Sequence, residues 1–113
     1  MSGELPEVIR LRDARGERPA SAAGIGEFWY EPEIWALPLS PDARVLYAGL
    51  CSFLGHREIN RKDLRNTLKD RSDREVSRAL EELVHHDLLR TGGNIRDGVS
   101  RGYDVRPVSE FRV

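Results

Sequence analysis

A single cysteine, Cys51, leaves no intrachain disulfide to form and fits a reducing compartment. No apolar run approaches the ~18 residues that span a bilayer. The N-terminal segment carries acids and lacks an apolar stretch of the secretory type. A soluble, cytoplasmic protein is the expectation. There is no excess of charge either: 18 basic residues stand against 19 acidic ones, for a formal net charge of −1. That balance argues against a protein that coats nucleic acid indiscriminately, whose footprint is strongly basic, while leaving room for a localised basic face. No internal repeat or low-complexity tract is present. At 113 residues and 39% hydrophobic, the chain suffices for one domain around one small core.

Signatures of chemistry are missing as well. His85 and His86 are adjacent, so on a helix they point about 100° apart and do not share a metal. His56 is distant in sequence, and one cysteine cannot complete a zinc motif. Gly24-Ile25-Gly26 lacks the rest of a dinucleotide fingerprint. Cys51, beside Leu50 and Phe53, reads as a small buried apolar residue. The acidic pairs sit in no catalytic setting. No cofactor, metal or small-molecule ligand is expected, and the chain does not read as an enzyme.

What is present divides the chain. Residues 1–27 read as a flexible N-terminal arm, because Ala14 to Gly26 is rich in Ala, Gly, Ser and Arg without periodicity. Within it, Val8 to Leu11 is either a short strand or disordered. From Phe28 the composition changes: Phe28, Trp29, Tyr30 and Trp35, broken by Pro32, predict an extended lead-in over the core.

Three helices follow. Ser40, Pro41 and Asp42 form a helix start, and Val45, Leu46, Leu50, Phe53 and Leu54 mark one apolar face, with Gly55 as C-cap. Glu58-Ile59 suggests a brief strand before a second cap at Asn60. A second helix then runs from Arg61 to about Lys69 on Leu64 and Leu68, and Asp70-Arg71 makes a turn. Ser72-Asp73-Arg74-Glu75 is a capping box that opens a third helix, about 73–87, whose stripe is Val76, Leu80, Leu83 and Val84. Leu88–Thr91 and Tyr103–Arg106 read as paired strands joined by a glycine-rich loop.

The segments LSPDARVLYAGLCSFLG, INRKDLRNTL and SDREVSRALEELVHHDLLRT resemble the winged helix-turn-helix domains of bacterial transcription regulators and of phage and plasmid replication proteins. The resemblance covers residues 40–107, the core of a domain spanning 28–113. It implies a mainly α fold (α+β), a three-helix core with a small β-hairpin wing. It also implies that the third helix enters the major groove of duplex DNA, with wing 90–106 on the flanking backbone.

Charge segregates in agreement. Residues 56–78 hold eight basic side chains against five acids, while residues 1–39 hold four against seven. Arg74 and Arg78 share a helix face, where arginine grips phosphate or pairs with guanine, and Ser77 lies between them. Arg61, Lys62, Arg65 and Arg71 are expected over the phosphate backbone, and Arg96 and Arg101 in the wing. A sequence-specific DNA-binding protein is the expectation, a transcriptional regulator or a replication accessory factor. A single reading head is small, so a homodimer is expected, through the N-terminal residues or the first helix. The alternative is a winged-helix module for protein interaction or dimerisation that does not bind DNA.

Overall fold

The computed structural model describes residues 5–26, 28–56, 58–92 and 100–113. Its least expected element comes first. Val8–Asp13 forms strand β1, in which Ile9 and Leu11 point into the core while Arg10 and Arg12 point to solvent. This alternation is the period of a half-buried strand. β1 occupies an interior position. It runs parallel to β6 (Ser100–Val105) on one side and antiparallel to β4 (Glu58–Asn60) on the other, with β5 (Leu89–Gly92) beyond β6.

The flexible-arm expectation for residues 1–27 is therefore corrected for those described. Leu5, Ile9, Leu11 and Arg15 are buried, and Ala23–Ile25 (β2) pairs with Phe28–Tyr30 (β3) as a hairpin in place of a linker. The glycine- and alanine-rich composition reflects tight geometry here, since Gly24 sits at φ +118 with a neighbouring carbonyl where a Cβ would stand. Of the aromatic lead-in, Trp29 is buried, but Phe28 and Trp35 are exposed. A 3-10 turn over Pro32–Ala36 leads into the helices.

Helix α1 (Pro41–Ser52) is capped by Ser40, whose Oγ accepts from the Ala43 amide. Ser40 in turn donates its amide and hydroxyl to Glu82, at 2.8 and 2.7 Å. Ala43, Leu46, Tyr47, Leu50 and Cys51 are buried, whereas Val45, expected inside, is 40% exposed. The apolar face is narrower than the sequence suggests and is rotated toward Tyr47. Gly55 falls inside a 3-10 turn, and Phe53 caps the helix instead.

Helix α2 (Arg61–Thr67) opens on a capping box between Asn60 and Asp63. Helix α3 (Asp73–His85) opens on the expected box between Ser72 and Glu75. Between the two, Asp70 turns the chain at φ 65, a left-handed conformation that aspartate tolerates better than most residues. The three helices cover one face of the four-stranded sheet, burying Leu64, Val76, Leu80 and Leu83 with Ile9, Tyr103 and Val105. The result is a compact α+β domain with a mixed sheet and a radius of gyration of 13.1 Å.

Candidate nucleic-acid interface

The exposed side of α2 is a basic stripe. Leu64 points into the core, which turns Lys62, Arg65 and Asn66 outward. Lys69 continues the i, i+3, i+4, i+7 spacing just past the helix. With Asp70 and Arg71 these residues line an open depression of about 680 Å3. The stripe meets α3 through an ion pair from Arg65 to Asp73, 3.3 Å long. On α3, Arg74 and Arg78 are exposed on a common face.

Most acids of this region have internal work. Glu75 accepts from the Ser72 amide, which with the Ser72 hydroxyl holds its carboxyl below the usual range. Asp73 is engaged by Arg65 and Glu82 by Ser40. Asp42 receives the Nε of Arg71 on both oxygens at 3.1 Å, which keeps that guanidinium firmly charged. Among the described residues, Lys62, Lys69, Arg74 and Arg78 make no ion pair; of the acids nearby, Asp63, Glu75 and Glu82 accept hydrogen bonds without an ion pair, and Asp70 and Glu81 make neither. Four exposed cations outside ion pairs thus lie on the two helices that flank the Asp70 turn.

Two of the expected contact residues do not belong to this surface. Ser77 is 4% exposed, because position 77 follows Val76 onto the buried side of α3, so it does not lie between Arg74 and Arg78 on the outer face. Arg61 turns toward the N-terminal segment. Its Nη2 donates to the Leu5 carbonyl at 2.7 Å and its amide to that of Glu7, while Nε is buried without a partner. Arg61 therefore holds the entry to β1 and does not lie over the α2 stripe. Arg101 is exposed on β6, donating to the Tyr103 hydroxyl. Arg96 lies outside the described residues.

Sequence reasoning passed over Asn66 and Lys69 as contact residues, although their spacing from Lys62 was there to read. It also passed over a second cationic surface. Arg10, Arg12 and Arg90 project from the open face of the sheet. That face is largely neutralised, since Arg10 pairs with Glu58 at 3.6 Å and Arg12 with Asp104 at 2.7 Å. The α2–α3 surface is the stronger candidate for a polyanion.

Among the described residues no group of three or more His, Cys, Asp or Glu side chains is placed to hold a metal. No helix there is long and apolar enough to cross a membrane. No protein-family model, curated protein or solved structure matches the chain. Its role has to be read from geometry and charge.

Proposed function

We propose that this chain is a winged helix-turn-helix protein that binds duplex DNA, without a catalytic step, as a transcriptional regulator or a phage or plasmid replication accessory factor. The observation that carries the reading is the set of four exposed cations outside ion pairs, Lys62, Lys69, Arg74 and Arg78, on the two helices of one helix–turn–helix. The order of elements supports it: α1, β4, α2, α3 and then the antiparallel pair β5–β6 follow the order expected of a winged helix, with β1 as an additional strand in the sheet. In this reading α3 lies in the major groove, with Arg74 and Arg78 reaching guanine edges or phosphates. Lys62, Arg65, Lys69 and Arg71 track the backbone, and the hairpin, with Arg101, flanks the site.

Binding of a mixed-sequence duplex, followed by fluorescence anisotropy from 50 to 300 mM salt, tests the proposal. Four phosphate contacts predict a slope of log K on log salt of about −3.6. Lys69→Ala should lower that slope by about one with little change in sequence preference. Arg74→Ala with Arg78→Ala should cost roughly 2–6 kcal/mol and remove the preference. If the wild type shows no salt-dependent affinity for any duplex at 50 mM salt, the reading as a protein-interaction module takes its place.

A further inference from the structure

Arg71 stands apart from the other cations of the α2–α3 surface. It belongs to the turn between the helices, where its amide donates to the Leu68 carbonyl at 3.2 Å. Its side chain is tied to α1: Nε donates to both oxygens of Asp42, 29 residues earlier, at 3.1 Å. Among the described residues, Lys62, Lys69, Arg74 and Arg78 have no carboxylate anchor of this kind.

A guanidinium donates from Nε and from both Nη groups. The bonds to Asp42 use Nε alone. Among the described residues the Nη groups of Arg71 have no hydrogen-bond partner. A carboxylate on the Nε edge leaves the Nη1–Nη2 edge open, and that fork matches two oxygens of a phosphate. Arg71 also borders the depression that Lys62, Arg65, Asn66 and Lys69 line.

Asp42 lies in the first turn of α1, where an acid suits the helix dipole wherever its oxygens point. Here both oxygens go to one nitrogen across the fold. The pair is partly shielded, with side-chain exposures of 45% at Arg71 and 28% at Asp42. The Arg65–Asp73 pair differs: it is 3.3 Å at its shortest, and its arginine is 61% exposed. A solvated pair of that kind orients little.

We propose that Asp42 is a positioning residue: it sets the Arg71 guanidinium so that the Nη fork meets a phosphate of the bound duplex. An arginine already fixed at Nε loses less freedom on binding, and that gain exceeds the repulsion between carboxylate and phosphate. This role rests on the duplex-DNA reading and gives it a residue that touches no DNA. Charge alone predicts the opposite sign. Removing a negative side chain beside a polyanion site tightens binding, whereas removing Asp42 should loosen it.

Anisotropy titrations of the full chain on a mixed-sequence duplex, at about 100 mM salt, are the test. Asp42→Asn should bind roughly three- to tenfold more weakly, the loss expected of one phosphate contact, with the slope of log K on log salt reduced by about 0.9. Arg71→Ala should lose as much, and the double variant no more than either, because both remove the same contact. Glu81→Gln removes an exposed acid outside any ion pair and measures the pure charge effect against which Asp42→Asn is read. Asp42→Ser, of similar helix propensity, takes its place should the asparagine variant fail to fold. A folded Asp42 variant that binds as tightly as wild type, or more so, overturns the proposal, as does an additive loss in the double variant. Those outcomes leave the duplex-DNA reading standing; a wild type without salt-dependent affinity sinks that reading and the role of Asp42 with it.

Discussion

Arg15 carries its charge into the interior because three partners meet it there. Its side chain is 0% exposed, and Nε and Nη2 donate to the two oxygens of Asp13 at 2.9 and 3.0 Å. Nη1 donates to the Trp29 carbonyl while the guanidinium plane covers the indole ring. Burial on its own would raise the Asp13 pKa and lower that of Arg15; the paired hydrogen bonds outweigh it, so Asp13 lies below its ordinary value and Arg15 above. Asp13→Ala leaves a buried guanidinium without its carboxylate and should cost about 3 kcal/mol in urea unfolding. Because the folded pKa of Asp13 is depressed, its contribution is complete above the unfolded value of about 4 and is lost as pH falls through the folded one. The stability gap between wild type and Asp13→Asn should therefore close on acidification below pH ~4. Nearby, burial pushes the Cys51 thiol up to about 12, so it stays neutral at physiological pH, in keeping with a packing role. Little of this cluster was legible in the sequence. Asp13-Ala14-Arg15 has the composition of a solvated loop, and the partner that makes Arg15 structural lies fourteen residues away.

At the scale of elements, legibility followed the reach of the interaction. The α3 capping box is contained within four residues, and Ser72 and Glu75 form both of its bonds at 3.2 and 3.1 Å. Ser72→Ala removes one of them and should lower stability by about 1 kcal/mol, read as a shift in the urea midpoint at constant slope. The α2 start and the Asp70 turn were readable for the same reason, while α2 ends at Thr67, short of the expected Lys69. Facing was harder. The rotation of α1 that exposes Val45 and buries Tyr47 is set by neighbours, Tyr47 donating its hydroxyl to the Arg106 carbonyl at 2.6 Å. Ser77 is a similar case: a polar side chain one step from the apolar stripe is drawn inside because the sheet and α1 close over that side of α3. The basic stripe of α2 needs only helical spacing, which is why most of the candidate surface was visible from residues alone.

At the scale of the whole molecule, the sheet is what the sequence hid. Val8 to Leu11 left strand and disorder equally open, and the partners that decide for the strand are remote: nothing local says that Leu11 will lie beside Tyr103 in parallel register. The position is not optional. Deleting residues 1–13 removes the strand between β4 and β6, leaves both without their shared neighbour and strips Ile9 and Leu11 from the core. The truncated chain is expected to lose its cooperative thermal transition by circular dichroism, whereas a merely flexible arm would leave the transition in place.

That same strand fixes when the protein can finish folding. Arg12 and Asp104, neighbours on β1 and β6, are 92 residues apart along the chain. β1 is therefore synthesised well before its parallel partner β6. At synthesis rates of about 5–20 residues per second, the side of β1 that faces β6 stays open for on the order of 5–20 s, although β4 is available to its other side sooner. The helices can form early from local contacts, but closing a loop of this length belongs to the slow class of folding events. Completion of the sheet thus waits on β6, and Arg10 and Arg12, as charges on the waiting strand, disfavour pairing with a wrong strand.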